Sequence, residues 1–125
     1  MTITGIDHLV LTVASIDRTC TFYERVLGMR REIFGQARSA LHFGTQKINL
    51  HEAGKEFDPK ALHPTPGSGD LCFIVADVAA AQARLDAEGV EVIEGPAPRT
   101  GANGAMLSIY CRDPDGNLIE LSQYQ

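Results

Sequence analysis

The chain has 125 residues, 44% of them hydrophobic and 22% charged, the composition of an ordinary globular domain with a real core. Its net charge of −5, from 16 acidic and 11 basic residues, excludes a nucleic-acid surface, and no basic cluster reverses that balance. No apolar run reaches bilayer-spanning length, and the start "MTITGID" lacks the charged and apolar regions of a signal peptide. A cytoplasmic protein with no membrane partner is expected. The three cysteines, Cys20, Cys72 and Cys111, form no CxxC pair and lie in apolar segments, so free and mostly buried thiols are expected.

The first element is "GIDHLVLTV", residues 5 to 13. Leu9, Leu11 and Val13 alternate with His8, Val10 and Thr12, which is the period of a strand. A helix follows in "SIDRTCTFYERVLG": Ser15 is a good N-cap, Ile16, Cys20, Tyr23 and Leu27 recur at helical spacing, and Gly28 ends it. Strand-like segments "MRREIF", "SALHFG" and "KINLHE" come next. The polar stretch "AGKEFDPKALHPTPGSG" carries three prolines and reads as a linker or a lid.

The order then repeats. "HLVLTVASI" (8–16) aligns without a gap on "DLCFIVADV" (70–78), placing His8 on Asp70 and the cap Ser15 on Asp77. The helix "VAAAQARLDAE" runs to Gly89, and "VEVIEG" matches "MRREIFG" as a strand. "INLHE" (48–52) aligns on "IELSQ" (119–123), placing Asn49 on Glu120 and His51 on Ser122. The chain is therefore two copies of β-α-β-β-β: a first module over about 4–52, a connector over 53–68 and a second module over about 69–124. Each copy is near the lower size limit for independent folding, so one domain over 1–125 is expected.

In the first and last strand of each copy the aliphatic side chains take one face, expected to lie under the helices. His8, Asn49, His51, Asp70 and Glu120 take the other. Buried carboxylates without partners cost several kcal/mol and repel one another. A divalent cation held by His8, Asp70 and Glu120 removes both difficulties, and imidazole with carboxylate oxygen suits Mn, Fe, Ni, Co or Zn. The alternative is a sheet with one solvated face.

The repeated unit, the opening "DHLVLTVASIDRTCTFYERVLGM" and the ending "RDPDGNLIEL" resemble the vicinal oxygen chelate superfamily over residues 4 to 124. That superfamily includes glyoxalase I, fosfomycin-resistance enzymes, extradiol dioxygenases and bleomycin-resistance proteins. "KINLHEAGKEFDPKALHPTPGSGDLC" and "GPAPRTGANGAMLSIYCRDPDGNLIELSQY" are similar to a group of glyoxalase-domain-containing proteins with bacterial members labelled virulence proteins. The resemblance implies an α+β fold of two βαβββ modules, whose curved mixed sheets form a cup around one divalent metal. It puts the ligand positions at His8, Asn49, Asp70 and Glu120. Asp70 departs from the usual histidine, and Asn49 departs from the ligand, commonly glutamate, of glyoxalase I. His51, on the same face, stands in for Asn49 or serves as a catalytic or substrate-binding group.

The function so implied is a glyoxalase-like enzyme, whose metal chelates two neighbouring oxygens of a small substrate and stabilises an enediolate or other oxyanion. Glu120 is the expected base, with His51 second. Lactoylglutathione lyase activity is put in doubt by Asn49. Three other readings remain: a metal-free protein that sequesters a small molecule, as bleomycin-resistance proteins do, an extradiol dioxygenase-like enzyme, and a structural or interaction module that reuses the fold. Arg99, in the Gly- and Pro-rich "GPAPRTGANGA", reads as a loop residue able to clamp a substrate anion, and Tyr110 as a hydroxyl able to reach the cup. Ser39 and Ser108 carry no assignment. A homodimer is expected, because the superfamily often completes its cups between subunits and an edge strand such as "MRREIF" needs covering.

Overall fold

A computed structural model describes all 125 residues. The elements run β1 (His8–Val13), α1 (Ile16–Arg25), β2 (Arg30–Phe34), β3 (Arg38–Phe43), β4 (Gln46–Glu52), β5 (Asp70–Ile74), α2 (Val78–Ala87), β6 (Glu94–Gly101), β7 (Gly104–Arg112) and β8 (Leu118–Tyr124). The chain divides into two compact units, Met1–Pro66 and Gly67–Gln125, each with one helix and one four-stranded sheet. Neither helix is long and apolar enough to cross a membrane.

The first unit orders its strands β1-β4-β3-β2, with β1 parallel to β4 and the other pairs antiparallel. Helix α1 begins as its sequence dictates: the Ser15 hydroxyl accepts the Arg18 backbone N–H at 3.2 Å. It ends at Gly28, whose φ of 69° allows the Met29 N–H to reach the Tyr23 carbonyl. Cys20 and Tyr23 pack on Val13, Leu41, Ile48 and Leu50, all at most 1% exposed. Each such Leu or Ile contributes about 1.5–3 kcal/mol relative to exposure.

The second unit repeats this plan with the order β5-β8-β7-β6 and a parallel β5–β8 pair. The Asp77 carboxylate caps α2 by accepting the N–H groups of Ala79 and Ala80. Val78 and Leu85 face the aliphatic side of the sheet, where Ile109, Cys111, Ile119 and Leu121 are buried. The turn "DPDG" is closed by the Gly116 N–H to the Asp113 carbonyl at 3.0 Å. The Asp113 carboxylate also holds the N–H groups of Asp115 and Asn117 and the Asn117 amide. Asn117 in turn accepts the Gly69 N–H at 2.7 Å, which ties the start of β8 to the start of β5.

Two expectations need correction. "VEVIEG" is not the strand; pairing begins only at Glu94, and "GPAPRTG" is β6 rather than an open loop. Prolines are tolerated there because β6 is an edge strand, where one row of N–H groups has no partner to lose. The cysteines also differ: Cys20 and Cys111 are buried, but Cys72 is exposed, because β5 is the opposite edge of that sheet.

Asn117 is 1% exposed, and Asn117→Ala leaves the Gly69 N–H and an Asp113 oxygen without partners. Urea unfolding is expected to show a loss of about 2–4 kcal/mol, against about 1 kcal/mol for the exposed cap change Asp77→Ala.

Candidate functional site

Strand register decides which side chains meet. On the non-helical face of the second sheet, Tyr110 lies opposite Glu120, and Ser108 lies opposite Ser122. Parallel pairing puts Cys72 beside Glu120. Glu120 is the centre of this array. Its Oε2 accepts the hydroxyls of Ser108 at 2.8 Å and Ser122 at 2.9 Å, and those hydroxyls contact each other at 2.7 Å. The Cys72 thiol lies 3.2 Å from the Ser122 hydroxyl. The Tyr110 hydroxyl also hydrogen-bonds Glu120.

Burial pushes the Glu120 carboxyl up, but hydrogen bonds from Ser108, Ser122, Tyr110 and Cys72 outweigh it and hold the group below the ordinary carboxylate range. Glu120 is thus a fixed anion. Desolvation pushes all three thiols up, Cys111 to about 11, which rules against a thiolate nucleophile at neutral pH.

Arg99 is on β6 and points to the same array. Its Nε donates to the Tyr110 hydroxyl at 2.9 Å, Nη1 to the Pro98 carbonyl at 2.8 Å and Nη2 to Glu94 at 2.6 Å. A β-bulge between Glu94 and Ala97 makes this possible. The extra residue puts Glu94 opposite Tyr110 and Ala97 opposite Ser108, so both take the face that carries Arg99. Arg99 is therefore neutralised by Glu94 and occupied by Tyr110. With the phenol oxygen accepting from Arg99, the phenol proton is directed at Glu120.

Two cavities flank Glu120. One, of about 470 Å³, is lined by Asp70, Ile93, Glu94, Tyr110, Arg112, Leu118 and Glu120. The other, of about 440 Å³, is more apolar, with Ile74, Met106 and Tyr124 beside Arg99, Cys72 and Glu120. Asp70, an exposed side chain, thus shares a cavity with Glu120.

The corresponding face of the first sheet carries His8, Asn49 and His51. His8 is 43% exposed, and its Nδ1 lies 2.7 Å from the Asp7 carboxylate, which orients the ring. Asn49 lies opposite Ala40 as Glu120 lies opposite Tyr110, which supports the repeat alignment. Asn49 is buried and its Oδ1 has no hydrogen-bond partner. His51 is 2% exposed; its Nε2 accepts from Arg38 at 3.3 Å, and its Nδ1 has no partner. Burial first, and the Arg38 charge second, push its pKa down, so it is a neutral imidazole. The picture of one simply solvated face fails at Asn49, His51, Ser108 and Ser122, all buried.

Within either unit no three His, Cys, Asp or Glu side chains converge as a metal cluster. Each unit nevertheless carries donors of a kind that divalent ions accept: in the second, the ionised Glu120 shares a cavity with Asp70, and in the first, Asp7 orients His8 and the buried Asn49 Oδ1 lacks a partner.

A family model described as Glyoxalase/Bleomycin resistance protein/Dioxygenase superfamily matches residues 5–121. The chain belongs to that superfamily. It is 59% identical to the glyoxalase domain-containing protein RDO1 of Mycosarcoma maydis, covering 100% of this chain and 71% of that one. It is 56% identical to virulence protein STM3117 of Salmonella typhimurium, covering 99% and 87%. The crystal structure of that protein superposes with a TM-score of 0.98 over 100% of both chains. A lactoylglutathione lyase of Pseudomonas aeruginosa is 31% identical over 94% of this chain and 81% of its own. The superfamily fold of two βαβββ modules, expected above, is the one observed.

The residues that sequence reasoning missed are Ser108, Ser122, Glu94 and Arg38. Ser122 carried a signal, since it stands two residues from Glu120 on one strand and at the repeat position of His51. Ser108 and Glu94 emerge only from cross-strand register and the bulge.

Because its carboxyl is held low, Glu120 contributes stability that is present above the ordinary carboxylate pKa and lost as pH falls through its folded value. Ser108→Ala should raise the Glu120 carboxyl pKa and flatten the acid limb of the stability profile. Carboxyl carbon NMR titration and urea unfolding at pH 3 to 6 check this.

Proposed function

We propose that this protein is a glyoxalase-like, metal-dependent enzyme acting on a small substrate with neighbouring oxygens. The observation that carries the reading is Glu120, fixed as an anion on a cavity by two buried serines and a tyrosine. His8 and Glu120 are the principal ligands, with Asp70 and Asn49 at the two further positions. The bound ion, one of Mn, Ni, Co, Fe or Zn, supplies Lewis-acid polarisation of substrate oxygens. We propose that residues 1–125 act as one functional domain, with a homodimer as its working form. The 31% identity to a lactoylglutathione lyase supports the reaction class.

The chain's own residues divide the work. Tyr110, held by Arg99, donates its single hydroxyl hydrogen to Glu120, and its role is to turn that hydrogen to a substrate oxygen beside Glu120 when one is bound. Arg99 serves the substrate by positioning Tyr110. Glu120, whose Oε2 is committed to serines, is a better ligand than a base. His51, neutral and accepting from Arg38, is a substrate-binding group before it is a base. Cys20, Cys72 and Cys111, all free thiols, fit a reducing cytoplasmic location.

Metal content measured by mass spectrometry on untagged protein tests the reading. Near one divalent ion per chain is expected, lost in both His8→Ala and Glu120→Ala. A wild-type protein that neither contains nor takes up Mn, Ni, Co, Fe or Zn overturns it in favour of metal-free ligand sequestration. With the metal identified, glyoxalase, epoxide-opening and extradiol dioxygenase assays are the next measurement. Tyr110→Phe should keep the metal and lower kcat by about 10²-fold or more.

A further inference from the structure

Most cations of this chain already have a partner. Arg31 pairs with Asp17, Arg30 with Glu32, Lys55 with Glu52, Lys60 with Asp58, Arg84 with Glu88 and Arg99 with Glu94. Arg38 and Lys47 differ. Both are half-buried on the His51 face of the first sheet, and no carboxylate lies within ion-pair distance of either. They share one aromatic ring: the Lys47 ammonium is 3.9 Å, and the Arg38 guanidinium carbon 5.5 Å, from the centroid of Phe34. Phe57, from the connector, covers the guanidinium at 4.6 Å and the His51 ring at 5.5 Å.

Two like charges gathered over one ring repel, and the cation–π contacts, about 0.5–2 kcal/mol each, do not neutralise them. The buried polar groups next to them are also incomplete. His51 accepts through Nε2, so Nδ1 carries the proton, and that buried donor has no acceptor. The Glu56 carboxylate acts on His51 through its charge, and its own Oε2 is buried without a hydrogen-bond partner. Asp7 likewise acts on Lys47 through its charge alone, so the cations are balanced at a distance while their N–H donors have no carboxylate in contact.

From this geometry we infer that Arg38, Lys47 and His51 form an oxyanion-binding site, taking a carboxylate or phosphate group of a small ligand. The guanidinium offers paired N–H donors, the ammonium a point charge, and Phe34 and Phe57 an aromatic lining. The site stands by itself as an anion site. It rests on the proposed function only in identifying that anion as the acidic end of the enzyme's substrate, with Arg99 excluded from the role by Glu94.

Titration of the ¹⁵N-labelled protein as purified, with its metal content measured, with inorganic phosphate and separately with acetate, tests this. Saturable NMR shifts centred on the amides of Arg38, Lys47 and His51 are expected. Arg38→Gln and Lys47→Gln should each weaken binding about tenfold or more, the worth of one charge-assisted contact, while Arg84→Gln leaves it unchanged. Preference for phosphate or for acetate names the group. Absence of saturable shifts, or equal affinity in Arg38→Gln, overturns the inference. Metal content separates the two claims. Arg38→Gln keeps its metal if both hold, and a wild type that binds anion without metal sinks only the enzyme reading.

Discussion

A single hydrogen bond, from the Gly69 backbone N–H to the Asn117 side chain, carries much of this structure. At 2.7 Å it joins the residue before β5 to the residue before β8, and the Leu118 N–H answers it by donating to the Gly69 carbonyl. These two bonds fix the register of a parallel strand pair that no short turn connects. Once that register is set, Cys72 stands beside Glu120, and the β7–β8 hairpin brings Ser108 and Tyr110 across from Ser122 and Glu120. A slip of one residue would turn Glu120 into the aliphatic core and Ile119 out of it. The "DPDG" turn and the asparagine after it are thus best understood as a register device, with the site as its product.

The two repeats have diverged along one axis, the distribution of charge on equivalent faces. In the second, the central position holds an anion, Glu120, with hydroxyl donors packed around it and the nearby Arg99 cancelled by Glu94. In the first, the same position holds Asn49, and the surroundings hold two cations without a carboxylate in contact, Arg38 and Lys47. The 56% identity and near-superposable backbone of the Salmonella virulence protein mean that the backbone positioning these residues is shared with it.

Much of the fold was legible because it rests on local rules. Ser15 and Asp77 cap the two helices, Gly28 ends the first, and alternating Ile and Leu set the buried faces of β4 and β8. The repeat alignment named the strands that carry His8, Asn49, Asp70 and Glu120 before any coordinates did. Strand β6 was illegible for a physical reason. Its glycine and prolines signal a loop in local terms, and only its place at a sheet edge makes them acceptable.

From sequence alone came the α+β repeat, the family resemblance and the positions of the candidate ligands, because period, caps and spacing are properties of neighbouring residues. Tertiary structure alone decided what surrounds those ligands. The serine pair that commits Glu120, the bulge that turns Glu94 onto Arg99, and the Arg38 contact that makes His51 a neutral acceptor all join residues on different strands. Such contacts depend on register and burial, and no local pattern encodes them.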